Sequence, residues 1–307
     1  MDGRRRSPVY LVYRSLGTAM RVIPEPAAAL AAALVGEAMA ARRGEAWEQR
    51  QRHLHRVLAA TSPVVAPDAA VVRRWTRRAY RAYARYWLDG ARLPSTPIAQ
   101  VNQRMMVERG YEHLQEAMAA GNGVVMALPH VGSWEWGGAF LASEGYPMTS
   151  VAERIEPPAL FEWFVEERRA MGLTIVPLGS DSGATILKTL RSGGLVGLLC
   201  DRDIVGDGVA VDLFGESTTF PAGPATLALR TGSVLVAAVV YSGPGKDHMA
   251  VITPPFDTTR TGSFRSDVHR ITQQIARVFE QFIARAPEQW HLYQPNWPSD
   301  REPRSGT

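Results

Sequence analysis

The chain changes texture near residue 120. Before that point apolar positions recur at helical spacing and β-branched runs are absent, so the pattern predicts helices. Pro24 and Pro26, the stretch from Ser62-Pro63 to Pro67, and Leu93-Pro94 to Pro97 punctuate this portion. From Gly121 onward, short apolar runs alternate with helical patterns. Strands are predicted over 124–128, 149–152, 173–177, 195–200, 234–241 and 250–252, and helices over 133–143, 158–171, 184–190 and 267–284. Apolar runs separated by helices imply an α/β fold: a mostly parallel central sheet flanked by helices on both faces, with a helical N-terminal portion. No repeat or long linker interrupts the chain, so one domain over 1–307 is expected, helical over 1–120 and α/β over 121–307. Such sheets gather reactive groups at the carboxyl ends of their strands.

Composition narrows the class. With 46% hydrophobic and 21% charged residues, disorder and collagen-like repeats are excluded. A net charge of +4 is too mild to argue for a nucleic-acid partner. Lys188 and Lys246 are the only lysines, so 32 of the 34 basic residues are arginine, a usage suited to bidentate phosphate contact. The single cysteine, Cys200, excludes an internal disulfide and a multi-cysteine metal site; a small buried hydrophobe is its expected role. The most apolar stretch, 27–41, is alanine-rich and broken by Gly36 and Glu37, too short to span a bilayer. Arg4, Arg5 and Arg6 resemble the start of a signal peptide, but Arg14 and Arg21 interrupt any hydrophobic core behind them, so a cytoplasmic protein is expected.

Several familiar motifs fail. Gly179-Ser180-Asp181-Ser182-Gly183 carries aspartate where a nucleophile elbow needs serine. Gly245-Lys246 lacks the upstream glycine of a P-loop, and neither Gly121-Asn122-Gly123 nor Gly206-Asp207-Gly208 has the third glycine of a dinucleotide fingerprint. No histidine pair has zinc-protease spacing, so no metal and no permanently bound cofactor are expected.

One constellation survives. His130 follows the apolar run 124–128 and Pro129, at the carboxyl end of a predicted strand, and Glu135 lies five residues on. With 7 histidines and 30 acidic residues, about 0.7 such pairs arise by chance, so spacing alone decides nothing. Placement is what matters: a carboxylate on the following helix can hold one ring nitrogen while the other faces the crevice as a general base. The residues alone leave open a structural histidine capping the helix.

The block from Ala127-Leu128-Pro129-His130 through Trp134-Glu135-Trp136-Gly137-Gly138 resembles the H-x4-D/E block of the lysophospholipid acyltransferase superfamily. It more closely resembles the branch of lipid A late acyltransferases and actinobacterial phosphatidylinositol mannoside acyltransferases. Val151-Ala152-Glu153-Arg154, Cys200-Asp201-Arg202-Asp203 and Phe214-Gly215-Glu216 leading to Pro221-Ala222-Gly223-Pro224-Ala225 agree with the mannoside subgroup, in order along the chain. The resemblance implies transfer of a long-chain acyl group, palmitoyl by expectation, from acyl-CoA to a mannose hydroxyl of phosphatidylinositol mannoside. His130 would be the base, oriented by Glu135, and the substrate itself would supply the nucleophile. It further implies substrate-binding roles for Glu153, Arg168, Asp201, Arg202 and Asp203. Relatives often carry a glutamate shortly after the Asp-Arg-Asp run; here that role would fall on Asp207.

A lipid acceptor implies contact with an anionic membrane surface, at the cytoplasmic face and without spanning. Arg73, Arg77, Arg81 and Arg85 recur at i+4 beside Arg74 and Arg78, with Tyr80, Tyr83 and Trp87 on an adjacent strip. This reads either as an interfacial helix or as a solvated arginine face whose aromatics pack inward. Leu11, Val12 and Leu16 with Tyr10 and Tyr13 offer a second contact.

Overall fold

The computed structural model describes residues 7–61, 66–179, 181–243 and 247–301. Arg4 to Arg6, most of the predicted break at 62–67, Ser180 and the Gly245-Lys246 pair lie outside them. In chain order the N-terminal portion comprises α1 (Pro8–Val22), α2 (Glu25–Ala41), α3 (Glu45–Thr61), α4 (Ala69–Arg92) and α5 (Ile98–Arg104). Prolines at the first turns of α1 and α2 start helices where an N–H would otherwise be unpaired. Asp68 caps α4 by accepting from the Val71 backbone N–H at 2.7 Å.

A strand follows that the helical reading of 1–120 does not anticipate: β1 (Met105–Arg109), at the edge of the sheet. Its five residues are largely exposed and end in Glu108-Arg109, so it lacks the apolar run that marks the inner strands. Then come α6 (Tyr111–Ala119), β2 (Val124–Leu128), α7 (Trp134–Ser143), β3 (Met148–Ala152), α8 (Pro158–Ala170), β4 (Thr174–Pro177), α9 (Ser182–Arg191) and β5 (Leu195–Leu199). The hairpin β6 (Val209–Leu213) and β7 (Glu216–Phe220), α10 (Gly223–Thr231), β8 (Val234–Ser242), β9 (His248–Ile252) and α11 (Phe264–Arg285) complete the chain. The hairpin was not anticipated either. Phe214 and Gly215, both with positive φ, form its two-residue turn.

The seven-stranded sheet has the order β1-β9-β8-β2-β5-β3-β4. Five strands run parallel, whereas β9 is antiparallel to β8 and carries β1 parallel to itself at the edge. The α/β expectation therefore holds, with a reversed pair at one edge. The side-chain alternation of β2 explains the two helical layers. Val125 and Ala127 join the core under α9, α10 and α11, while Val124, Met126 and Leu128 join the one under α6 and α7. All five residues of β2 are buried. The sheet thus holds the carboxyl ends of β2, β5 and β8 side by side as a rigid rim.

Candidate active site

His130 stands on that rim, two residues beyond the end of β2. Leu128 pairs with Leu199 in the parallel β2–β5 ladder, so two residues further along each strand the register brings His130 opposite Asp201. The Asp201 carboxylate grips the histidine twice: Oδ2 accepts from the His130 backbone N–H at 2.9 Å, and Oδ1 lies 2.5 Å from ring Nδ1. Oδ2 also accepts from the Trp290 indole N–H at 2.7 Å. Asp201 is fully buried, yet the His130 side chain remains 31% exposed. Burial works against the charged imidazolium, but the Asp201 charge and hydrogen bond outweigh it and raise the His130 pKa above its ordinary 6.5. Burial likewise opposes the Asp201 carboxylate; the His130 and Trp290 donors overcome it and hold its pKa below the usual range.

The carboxylate against the ring is Asp201 and not the expected Glu135. Glu135, in the first turn of α7, is buried, but its Oε1 accepts from the Tyr86 hydroxyl and from Arg168 Nη2, both at 2.9 Å. The remaining oxygen, Oε2, is buried without a hydrogen-bond partner. Glu135 lies close enough for its charge to favour protonated His130, but it does not orient the ring. The reason is geometric. The chain turns sharply at Gly132, whose φ of +63° disfavours a side chain and whose added Cβ would lie 2.0 Å from the Val240 carbonyl oxygen. The turn sets α7 off from the strand end, and register with β5 supplies the partner instead.

The same Glu135 lies on the wall of a cavity of about 630 Å³ between α1, α2, α4 and α8. Val12, Leu16, Met20, Val35, Trp87 and Phe164 make its lining apolar, while Arg168 and Glu135 stand at its polar end. The Arg168 guanidinium packs over the rings of Trp134 and Phe164, 5.5 Å from each centroid, which fixes the arm that reaches Glu135. A partly exposed histidine with a buried carboxylate behind it can act as a general base, and the apolar chamber that shares Glu135 has room for a hydrocarbon chain.

The bacterial lipid A biosynthesis acyltransferase profile matches residues 2–299. The chain belongs to that acyltransferase family. A phosphatidylinositol mannoside acyltransferase of Mycolicibacterium smegmatis is 36% identical over 280 residues, covering 89% of this chain and 87% of its own. A protein of the same name from Mycobacterium tuberculosis is 35% identical over 257 residues, 82% of this chain and 78% of its own. A lipid A biosynthesis acyltransferase of Haemophilus influenzae is more distant, 25% identical over 196 residues, 59% of this chain and 55% of its own.

The remaining residues expected at the site of this acyltransferase take different places. Arg168 reaches the site through Glu135. Arg202 and Glu153 approach each other to 3.8 Å, partly exposed beside the rim. Asp203 turns into its own loop, accepting from the backbone N–H groups of Gly206 at 2.8 Å and Gly208 at 2.9 Å, so it shapes the loop rather than facing the crevice. Asp207 is exposed in that loop. Cys200 is buried, its thiol pushed well above its ordinary pKa by burial and by the Asp201 charge, which suits the small-hydrophobe reading.

Two participants escaped the sequence reading. Tyr86 lies within the arginine-rich helix, and its i+3 spacing from Tyr83 was the available signal. Trp290 sits in an aperiodic segment and gave none. On the arginine helix Tyr80 is buried and Tyr83 and Tyr86 pack against Tyr293 and His291, whereas Trp87 is 40% exposed and lines the chamber. Arg77 and Arg81 both pair with Glu37 of α2. On α1, Tyr10 is buried while Leu11, Val12, Tyr13 and Leu16 are between 41% and 55% exposed.

Proposed function

We propose that this acyltransferase moves a long-chain acyl group, such as palmitoyl, from acyl-CoA to a mannose hydroxyl of phosphatidylinositol mannoside at the cytoplasmic face of the membrane. The observation that carries the reading is the His130–Asp201 pair opening beside an apolar chamber, in a chain 35–36% identical to proteins named for that acceptor. His130 Nε2 takes the proton of the mannose hydroxyl as its oxygen adds to the thioester carbonyl. Asp201 steadies the imidazolium that results. The tetrahedral intermediate expels the CoA thiolate, which recovers the proton from His130, leaving an ester and free CoA. Glu135, with one oxygen secured by Tyr86 and Arg168, adds a negative charge that favours the imidazolium. Glu153 and Arg202 stand beside the rim where a polar headgroup would lie. Asp207 is left as an acceptor-side candidate.

Membrane contact is assigned to α1 and α2. Leu11, Val12, Leu16, Leu30, Leu34 and Val35 present exposed apolar side chains, and Val12, Leu16 and Val35 also line the chamber. Arg73, Arg74 and Arg78 are exposed on neighbouring α4, a charge that suits anionic lipid. Among the described residues no helix is long and apolar enough to cross a membrane, so contact would be peripheral. Incubating the full chain with labelled palmitoyl-CoA and mono- or dimannosylated phosphatidylinositol should give acylated glycolipid and free CoA in equal amounts. Equal or faster transfer to a lipid A precursor would refute the acceptor. Fatty acid release indifferent to added glycolipid would refute the transferase reading.

A further inference from the structure

Behind the rim runs the segment that follows α11, and two backbone hydrogen bonds tie it to the His130 loop. The Gly132 N–H donates to the Gln289 carbonyl at 2.9 Å, and the His291 N–H donates to the His130 carbonyl at 2.7 Å. Gln289 also holds the end of β8: its Oε1 accepts from Ser242 N at 2.8 Å and its Nε2 donates to Ser242 O at 2.8 Å. Between these anchors Trp290 turns its indole N–H onto Asp201 Oδ2.

The Trp290 ring is itself fixed. It is fully buried, lies 5.2 Å from the His53 ring at a 30° tilt, and meets Trp297 edge-on at 6.0 Å. The Arg50 guanidinium stands 5.9 Å from its centroid. His53 is held in turn by Asp300 at 3.1 Å and by the Leu292 carbonyl at 3.2 Å. The indole therefore cannot swing away from Asp201, and the donor it supplies is built into the fold through α3.

We propose that Trp290 is a positioning residue for acyl transfer: its indole N–H holds Asp201 Oδ2 so that Oδ1 is committed to His130 Nδ1. This role rests on His130 acting as the base in the reading above. Asp201 has two oxygens and three donors, and the Trp290 bond comes from neither the histidine ring nor its own backbone. Without it, Oδ2 keeps only the His130 backbone N–H, and the carboxylate gains freedom to rotate. Its charge is then shared with fewer donors, so it draws the ring proton more strongly and the His130 titration moves to higher pH.

The groups facing His130 are Asp201 and Arg202 beyond β5, Glu135 on α7 and His291 on the C-terminal segment; Asp201 additionally faces Cys200. Of these, His291 does not confuse a titration near neutral pH, because burial and the Arg50 charge lower it to about 3. His53, behind Trp290, is also lowered by burial.

Two replacements in the full chain test the role: Trp290→Phe, and an isosteric β-(3-benzothienyl)alanine at position 290, which keeps the ring and loses only the N–H. The His130 ring is titrated by nuclear magnetic resonance, which needs no substrate, and transfer from palmitoyl-CoA is measured in parallel. The isostere should melt with the wild type, show His130 titrating at higher pH, and lower kcat about 10- to 100-fold at unchanged KM, as expected for a donor lost from a buried charge. A wild-type His130 titration in the isostere overturns the proposal, whatever Trp290→Phe does to folding. If the wild type transfers no acyl group, the functional reading fails, but the titration still decides the role of Trp290.

Discussion

Two neighbouring regions of the molecule are built on opposite principles. At the strand ends polar groups are crowded and largely paired: His130, Asp201 and Trp290 are linked by hydrogen bonds of 2.5 to 2.9 Å, the first two just beyond the ends of β2 and β5. Across Glu135, the chamber between α1, α2, α4 and α8 is apolar, and several of its lining residues remain exposed on the outer surface. The first region fixes a proton acceptor to a fraction of an ångström, as acid–base chemistry requires. The second accommodates a flexible chain, for which volume and hydrophobicity matter more than exact placement. Glu135 belongs to both, bonded to Tyr86 of the chamber wall and electrostatically coupled to His130.

If the rim carries the chemistry, replacements there should act on kcat. His130→Ala should have the largest effect, a loss of at least about 100-fold in transfer with the circular dichroism spectrum retained. Asp201→Asn should follow at on the order of 100-fold or more, because the neutral amide no longer stabilises the imidazolium. Replacements in the chamber should act on which acyl chain is accepted. Ala32 of α2 also lines the chamber, and Ala32→Trp should lower transfer of palmitoyl about tenfold relative to a short acyl group, measured as the ratio of kcat/KM values. On the outer lip, the double replacement Leu30→Glu and Leu34→Glu should cut sedimentation with anionic vesicles about tenfold, leaving hydrolysis or transfer of a soluble substrate unchanged.

The smallest expected effect concerns pH. His130 must be deprotonated to act, and its pKa is raised, so the acid limb of the rate profile should lie above 6.5. The positive charge of Arg202 opposes protonation of the ring, so Arg202→Ala should move that limb slightly higher. Stability carries the matching sign. Because the folded ring holds its proton more tightly than the unfolded one, the contribution is complete below pH 6.5 and is lost as pH rises through the raised value.

What could be read from the sequence follows the physical range of each signal. The inner strands and their helices announced themselves because burial on both faces demands continuous apolar runs; the predicted helix over 133–143 and α7 (Trp134–Ser143) differ by one residue. Placing His130 at a strand end required only local pattern. Its partner did not follow, because β2 pairs with β5, and nothing local to Asp201 records which strand lies beside it. Glu135 is near in sequence and looked the better choice until the turn at Gly132 set it apart. β1 was missed because an edge strand needs little apolar character, and β6–β7 because a surface hairpin alternates instead of running apolar: Val211 and Leu213 are buried, Ala210 and Asp212 exposed. Trp290 was invisible for a different reason. Its segment is held by contacts with β2, β5 and β8 and has no periodicity of its own.

The most direct test of the paired-carboxylate assignment is the titration of the His130 ring, followed by nuclear magnetic resonance in the wild type, Asp201→Asn and Glu135→Gln. The expected result is a wild-type value above 6.5, a large fall in Asp201→Asn and a smaller one in Glu135→Gln. A ring that titrates unchanged in Asp201→Asn and falls sharply in Glu135→Gln would contradict it and return the orienting role to Glu135.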